Sequence, residues 1–347
     1  MPHPTDPPGL NVSGLRAWLE REHPELGGGR LAASVIAGGK SNLTYAVEGA
    51  AVPLIVRRPP LGHVLASAHD MRREHRVIAA LHDTAVPVPV AIDLVDDTAA
   101  DAVTGTVFFV MERSPGRTLT QHRQNDEFTR TGLRALSTAL AEHLAELHAV
   151  DAVAVGLADF GHPDGYIDRQ LSTWQRQLDA SRSRETPMLD RLQAALHRDV
   201  PETHATGIVH GDYRLDNALV EGTGDAPRVS AILDWEMATL GDPLVDLGIL
   251  SLYWNLAELP GAGRIVPSAV DVDAGYLTFD ALVEAYARRS GRSIPDLHWY
   301  RAFAAYKLAV IVEGIHYRYR MGETVGEGFE HIGDLVEPLA TAGMELI

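Results

Sequence analysis

Two short apolar segments, each followed closely by a carboxylate, constrain this chain more than any other feature. Residues 208–209 lead into Asp212 within the run VHGDYRLDN, and residues 231–233 lead directly into Asp234. Asn217 follows the first acid by five positions and precedes the second by seventeen. Each apolar segment is typical of a buried strand. A polar hairpin with Asp and Asn as turn residues is the simpler alternative, but it does not explain why two buried strands deliver carboxylates.

This set of oxygen donors matches the needs of phosphoryl transfer from ATP. That chemistry uses one carboxylate to orient an acceptor hydroxyl, and oxygen ligands to hold Mg²⁺ against the phosphates. The sequence therefore predicts Asp212, Asn217 and Asp234 as catalytic residues, with Asn217 and Asp234 as the metal ligands. Asp246 follows in the run GDPLVDL, and we expect it to brace the catalytic loop through hydrogen bonds.

Composition excludes several other classes of function. The 347 residues are 46% hydrophobic and 22% charged, as in ordinary globular proteins, and this length favours two domains or lobes. A net charge of −17 argues against binding to nucleic acids or anionic membranes, because both need a basic surface. The absence of cysteine excludes disulfides and thiolate chemistry. The start MPHPTDPP lacks a signal-peptide pattern, and no apolar run reaches about 18 residues, so we expect a cytoplasmic protein.

Hydrophobic periodicity changes along the chain from strand-like to helical. Alternation typical of strands runs from residue 31 to residue 111, with one strand over 43–48, and is interrupted by one helix near residues 71–82. Helical spacing dominates beyond residue 116, over 131–150 and again over 167–197. We therefore predict a two-lobed α+β fold. Its parts are a Pro-rich disordered N-terminus over 1–12, a sheet-rich N-lobe over 13–111, a hinge over 112–116 and a helical C-lobe over 117–347.

A glycine-rich turn precedes Ser41 and Asn42. Backbone N–H groups freed by the glycines, followed by these two side chains, can cradle a nucleotide phosphate. An ordinary glycine hairpin explains the same residues. Residues 39–41 also imitate the end of a Walker A motif, but position 34 is Ser34 instead of glycine, and a strand follows where that motif needs a helix.

Two further pairs of residues are predicted to bind the nucleotide. Arg57 ends an apolar strand, and Glu74 on the next helix is placed to hold this cation against the phosphates. Two solvated charges are the alternative. Residues 108–113 are typical of a core strand that ends in charged residues, or of a strand that enters a linker, and in a two-lobed kinase such a linker offers backbone hydrogen bonds to adenine. Glu112 and Ser114 are therefore the predicted contacts.

These motifs resemble those of the aminoglycoside phosphotransferase (phosphotransferase enzyme) family, a branch of the protein-kinase-like superfamily. The resemblance rests on HGD at 210–212 with Asn217, DWE at 234–236, and GDP at 241–243 with Asp246. Segments 38–45, 56–60 and 73–77 are similar to the branch found at the N-terminus of certain acyl-CoA dehydrogenases. The resemblance implies a kinase-like fold, ATP and Mg²⁺ as cofactors, and Asp212 as the catalytic acid/base. Arg57 stands where the family usually has Lys.

The acceptor stays open at this stage. Some relatives in that branch phosphorylate 4-hydroxyacyl-CoA thioesters, and the wider family includes aminoglycoside kinases. The resemblance thus implies a small-molecule hydroxyl, on a hydroxyacyl-CoA or another hydroxylated metabolite, with an aminoglycoside as the alternative. Lys307 and Arg318 would share one face of a helix over 300–320, where cations suit the phosphates of CoA. Acidic residues between 323 and 337 suit a polycation, or form a solvated helix face.

A non-catalytic nucleotide-binding scaffold, a pseudokinase, is a third hypothesis. The intact set of Asp212, Asn217 and Asp234 argues against it, because a scaffold is free to lose any of the three. The oligomeric state is not legible in the sequence.

Overall fold

The computed structural model describes residues 6–36, 42–61, 70–203, 205–323 and 329–347 of the chain. The chain forms two compact units. The first comprises Met1–Pro115 with Ser230–Glu236, and the second comprises Gly116–Val229 with Met237–Ile347. The lobe boundaries drawn from periodicity stay a prediction, and no local signal in the sequence assigns residues 230–236 to the first unit.

An antiparallel sheet forms the centre of the first unit. Its strands are β1 (Ala32–Val35), β2 (Leu43–Glu48), β3 (Leu54–Arg58), β4 (Ala91–Asp96) and β5 (Val107–Glu112), in the spatial order β1-β2-β3-β5-β4. The same unit contains the helices α1 (Val12–Glu22) and α2 (Met71–Leu81). Asn11 and Asp70 cap these helices, because their side-chain oxygens accept backbone N–H groups of the first turn.

Alternation along β3 separates two faces of this sheet. Val56 belongs to a buried core with Trp18 and Phe108, whose rings meet edge to face at 6.1 Å between centroids. Arg57 is the next residue of the strand and therefore points to the opposite face. Helix α2 packs against β4 and β5. Arg57 thus faces away from the core because side chains alternate along the strand.

Helices dominate the second unit. They are α3 (Arg130–Ala149), α4 (Tyr166–Ser181), α5 (Pro187–Arg198), α6 (Leu244–Trp254), α7 (Ala262–Ile265), α8 (Phe279–Ser290), α9 (His298–Arg320) and α10 (Val336–Met344). Four short strands lie between them in the chain: β6 (Gly207–Val209), β7 (Ala218–Glu221), β8 (Arg228–Ile232), whose residues 230–232 belong to the first unit, and β9 (Thr239–Gly241). Strand β6 pairs with β9, and β7 with β8. Helix α9 is buried on most sides and contacts α4, α5, α6 and α10, so it is the central helix of this unit.

The predicted α+β class is confirmed, with β1–β5 in the first unit and most helices in the second. Strand β2 has the predicted bounds. The helical stretch predicted over 167–197 is instead two helices, because Pro187 begins α5 and cannot supply the N–H of a continuous helix. Within the described ranges, the helices lack the combination of length and apolar content that crossing a bilayer requires.

Candidate active site

Strand β6 ends in a tight turn that carries Asp212. All of β6 is buried. Asn217 lies in the following 3₁₀ turn and donates its side-chain N–H to the Asp212 carbonyl oxygen at 2.8 Å and to its carboxylate Oδ2 at 2.9 Å. Because the Asn217 nitrogen is committed to Asp212, its Oδ1 points away from that carboxylate, an orientation that suits a cation ligand. The structure thus brings these two predicted residues together within the second unit.

A buried carboxylate from α6 holds the turn. Asp246 is fully buried and accepts the backbone N–H groups of His210 at 2.7 Å and Gly211 at 2.8 Å. His148 Nε2 lies 3.1 Å from the same carboxylate, and His148 Nδ1 lies 2.8 Å from the Tyr286 hydroxyl. Burial alone would raise the pKa of Asp246, but the hydrogen bond and charge of His148 bring that pKa below its ordinary value. The prediction that Asp246 braces the loop is confirmed.

Gly211 has a conformation and surroundings that favour glycine. Its φ is +85°, and a Cβ at this position would lie 2.8 Å from both the Cβ and the carbonyl oxygen of Met237. Its carbonyl accepts a hydrogen bond of 2.6 Å from Lys307 Nζ on α9. The structure therefore places Lys307 in the interior, whereas Arg318 on the same helix is exposed.

Arg214 is a cation beside the predicted catalytic carboxylate. Its Nε lies 3.4 Å from Asp212 Oδ2, and its Nη1 lies 3.7 Å from Asp216 Oδ2. The guanidinium carbon lies 4.4 Å from the centre of the Tyr253 ring, and this stacking restricts the guanidinium plane. Burial raises the pKa of Asp216, against the opposing pull of Arg214. A planar, partly exposed donor of this kind is suited to phosphate oxygens.

Arg214 is not among the site residues predicted from the sequence, and the contact between Lys307 and Gly211 was not predicted either. A usable signal existed for Arg214, since a cation two positions after Asp212 must lie in the same turn. Lys307 and Gly211 are 96 positions apart, so no local pattern joins them.

The first unit contains a second charged cluster, centred on Arg57. The Arg57 Nε donates to Glu74 Oε2 at 2.9 Å, its Nη2 to Asp234 Oδ1 at 3.0 Å, and its Nη1 to Thr44 Oγ1 at 3.3 Å. Asn42 donates to Glu236 Oε2 at 3.2 Å. Arg57 thus contacts both Glu74 and Asp234. The contact with Glu74, on the next helix, is the pairing that the sequence predicts.

This cluster contains more carboxyl groups than cations. Burial raises the pKa of Glu74 to about 7, and Asp234 and Glu236 add to this rise while Arg57 opposes it. Burial acts to lower the pKa of Arg57, but Glu74 and Asp234 outweigh it and raise that pKa. One guanidinium thus faces three carboxylates, and oxygen donors with excess negative charge are the ligands that Mg²⁺ takes. Asp234 has a φ of +65°, a strained value for a residue with a side chain.

The remaining predicted nucleotide contacts are Glu112 at the end of β5, Ser114 shortly after it, and Ser41. Glu112 donates its N–H to the Val90 carbonyl at 2.9 Å, so a contact with a nucleotide would use its carbonyl or side chain. Ser114 is half-buried two residues later. Ser41 lies outside the described residues. The roles of all three stay predictions.

Residues 32–303 match the model of the Phosphotransferase enzyme family. Acyl-CoA dehydrogenase family member 11 of Rattus norvegicus is 32% identical over 349 residues, which cover 97% of this chain and 43% of the rat protein. The chain therefore spans less than half the length of that relative. Viomycin phosphotransferase of Streptomyces vinaceus is 27% identical over 204 residues, covering 53% of this chain and 65% of that protein.

Solved structures of phosphotransferases are also similar to this chain. A candidate aminoglycoside phosphotransferase from Ralstonia eutropha has a TM-score of 0.81 and 31% identity, with 97% of this chain and 98% of that chain covered. An aminoglycoside phosphotransferase solved with AMP-PNP and hygromycin B has a TM-score of 0.59 and 15% identity, with 95% and 99% covered, and it supports the fold alone. The family resemblance inferred from the sequence motifs is confirmed.

Proposed function

The chain belongs to the phosphotransferase enzyme family, and on this premise we propose that it transfers the γ-phosphate of ATP to a hydroxyl group of a small molecule. The observation that carries the proposal is the geometry of the turn at Asp212. The carboxylate contacts Asn217 at 2.9 Å, and the backbone before it is held by the buried Asp246. In-line phosphoryl transfer needs a fixed carboxylate for the acceptor hydroxyl and an amide oxygen nearby that is free to bind a metal ion.

In the proposed reaction the acceptor oxygen attacks the γ-phosphorus while the bond from that phosphorus to the ADP oxygen breaks. Asp212 orients the hydroxyl and takes its proton as the new P–O bond forms. Arg214, 3.4 Å from Asp212 Oδ2, is placed to stabilise charge on the transferred group. Asn217 Oδ1 and Asp234 are the proposed ligands of Mg²⁺, which would neutralise phosphate charge when bound.

The remaining predicted residues take the nucleotide. We assign Arg57, held by Glu74 at 2.9 Å, to the phosphates of ATP. Ser41 and Asn42 are assigned to the phosphates as well, and Glu112 and Ser114 to the adenine. These assignments follow the order of the motifs along the chain.

For the acceptor we propose a hydroxyacyl-CoA or another hydroxylated metabolite. The support is the 32% identity to acyl-CoA dehydrogenase family member 11 over 97% of this chain. The matched region makes up 43% of that protein, and a domain in the same chain as an acyl-CoA dehydrogenase is well placed to act on acyl-CoA molecules. An aminoglycoside-type antibiotic is the second candidate. It is favoured by the 31% identity to the candidate aminoglycoside phosphotransferase from Ralstonia eutropha over 97% of this chain.

An ADP-release assay with Mg-ATP tests this proposal across three acceptor classes: 4-hydroxyacyl-CoAs, small hydroxylated metabolites and aminoglycosides. One class should stimulate ADP release above the slow hydrolysis seen without acceptor. Asp212→Asn keeps the shape of the side chain but removes its basic oxygen, so kcat should fall by about 10²–10⁴-fold. Asp280→Asn, an exposed acid in α8, is the matched control and should keep wild-type turnover. Full turnover in Asp212→Asn would overturn the mechanism, and Mg-ATP binding without turnover on any acceptor would favour the scaffold.

A further inference from the structure

Lys307 is an ammonium group buried behind the turn that carries Asp212. Its side chain lies in the middle of α9 and is only 7% exposed. Removing a charge from water costs free energy unless the charge finds partners. Its partners here are the Gly211 carbonyl at 2.6 Å, the Trp174 ring at 5.2 Å and the Met237 sulfur at 3.9 Å.

The Gly211 carbonyl is the contact with consequences for the site. It shares one rigid peptide plane with the N–H of Asp212. That N–H donates to His210 Nδ1 at 3.2 Å, while Lys307 holds the oxygen at the other edge of the plane. The two preceding N–H groups, of His210 and Gly211, are already taken by Asp246. Lys307 therefore completes a run of three consecutive peptide planes that are each fixed from outside the turn.

A purely structural role would not need a charge at this position, because apolar residues of similar volume often replace buried ions without loss of stability. Burial lowers the pKa of Lys307, and the carboxylates of Asp212 and Asp246 oppose that fall. The ammonium is thus attracted by the predicted catalytic carboxylate and by the carboxylate that braces its loop. The same ammonium group therefore donates the hydrogen bond to Gly211 and is attracted by the carboxylates of the site.

We propose that Lys307 is a positioning residue for phosphoryl transfer, which fixes the Gly211–Asp212 peptide plane and thereby aims the Asp212 carboxylate at the acceptor hydroxyl. The proposal deepens the proposed function and rests on it for the role of Asp212. Lys307 acts through Gly211 and need not touch the substrate.

Kinetics of three variants separate positioning from packing. Lys307→Met removes the donor and the charge at similar volume, and kcat should fall by about 10²-fold, the usual cost of misplacing a catalytic group by about 1 Å. KM for ATP should stay unchanged, since nucleotide contacts are not altered. Lys307→Arg keeps a cationic donor and should recover part of kcat. Lys307→Gln keeps a neutral donor, so a role of the charge predicts a clear loss of kcat in this variant as well.

Arg184→Met is the matched control, because Arg184 contacts another buried residue of α9 from the segment between α4 and α5. Arg184 pairs with the buried Glu313 of α9 at 2.8 Å, so its loss should lower the thermal midpoint and leave kcat unchanged. Wild-type kcat in folded Lys307→Met or Lys307→Gln would overturn the proposal. The proposal would also be overturned if Arg184→Met lost as much kcat as Lys307→Met while the two variants had the same thermal midpoint.

Amide hydrogen exchange gives a readout that does not depend on turnover. In Lys307→Met the amide of Asp212 should exchange faster, with smaller changes at His210 and Gly211, while Arg184→Met should leave all three as in the wild type. If the wild-type protein transfers phosphate to none of the acceptors, the proposed function fails, yet faster exchange at Asp212 would still support the positioning role. Unchanged exchange at Asp212 in folded Lys307→Met and Lys307→Gln would refute it. If Lys307→Met does not fold, Lys307→Gln and Lys307→Arg supply the same comparison.

Discussion

Arg57 donates from three different nitrogens to Glu74, Asp234 and Thr44. A lysine would have to reach all three partners from a single ammonium nitrogen on a flexible stem. The residue that stands where the family usually has Lys is therefore not a simple substitute, since it binds the loop acid Asp234 and the helix acid Glu74 through separate atoms. The buried carboxyl group of Glu74, beside Arg57, has a raised pKa.

We expect the raised pKa of Glu74 to make the stability of the folded protein depend on pH. The pKa of Glu74 rises from an ordinary 4.5 to about 7 in the folded protein, mainly through burial. Because the folded state then holds this proton more tightly than the unfolded state, stability should fall as pH rises from about 4.5 to about 7 and level off above. Glu74→Gln cannot ionise, so its thermal midpoint should gain on the wild type across this window. A difference between the two midpoints that is constant with pH would contradict the prediction.

Glu284→Gln is the control for this measurement. Glu284 is exposed on α8, where it pairs with Arg288 at 3.8 Å, and exposed pairs contribute little to stability. Its midpoint should follow that of the wild type at every pH. A gain in Glu284→Gln as large as in Glu74→Gln would assign the effect to overall charge instead of to burial.

At the scale of secondary structure, the turn after β6 is held by elements distant in the chain. Helix α6 supplies Asp246, α9 supplies Lys307, and α3 supplies His148, which contacts Asp246. The turn itself has a left-handed glycine and only a short buried strand before it. Its conformation therefore depends on packing, and the close approach at Gly211 should be its most sensitive point.

Gly211→Ala should lower both activity and stability, because φ is +85° and the new Cβ would lie 2.8 Å from the backbone oxygen of Met237. Gly291→Ala is the matched control: its φ is +66°, and a Cβ there meets nothing within 4 Å. The control should lose about 1–2 kcal/mol from left-handed strain alone and keep its kcat. Gly211→Ala should lose more stability and most of its kcat, measured by thermal unfolding and ADP release. Equal losses in the two variants would show that crowding at Met237 has no effect.

Local patterns in the sequence predict these elements better than they predict the site. The strand-like pattern of residues 43–48 gives β2 its correct bounds, although its buried residues follow one another instead of alternating. Periodicity over 167–197 does not show the break between α4 and α5, since both helices have the same spacing on either side of Pro187. The motif spacing predicts the contact of Asp212 with Asn217, which lie five positions apart. The contact of Lys307 with Gly211 depends on the packing of α9, which no short pattern contains.

At the scale of the whole molecule, the proposed activity makes an acidic protein bind an anionic nucleotide. The net charge is −17, so long-range electrostatics oppose the approach of ATP. Binding must then rely on local cations such as Arg57 and Arg214, and on a divalent ion that reduces the charge of the phosphates. ATP affinity should consequently depend strongly on Mg²⁺.

Thermal unfolding tests this dependence without any acceptor. A ligand that binds only the folded state stabilises it by about 2.7 kcal/mol at a hundred times its Kd, so saturating Mg-ATP should raise the thermal midpoint by about 4 °C. ATP with EDTA, or Mg²⁺ alone, should give little shift. Asp234→Asn removes one proposed ligand charge and should lose most of the Mg²⁺-dependent part, whereas Asp280→Asn should keep it. A full Mg²⁺-dependent shift in Asp234→Asn would exclude Asp234 as a metal ligand, and an equal shift with ATP and EDTA would exclude the ion from nucleotide binding altogether.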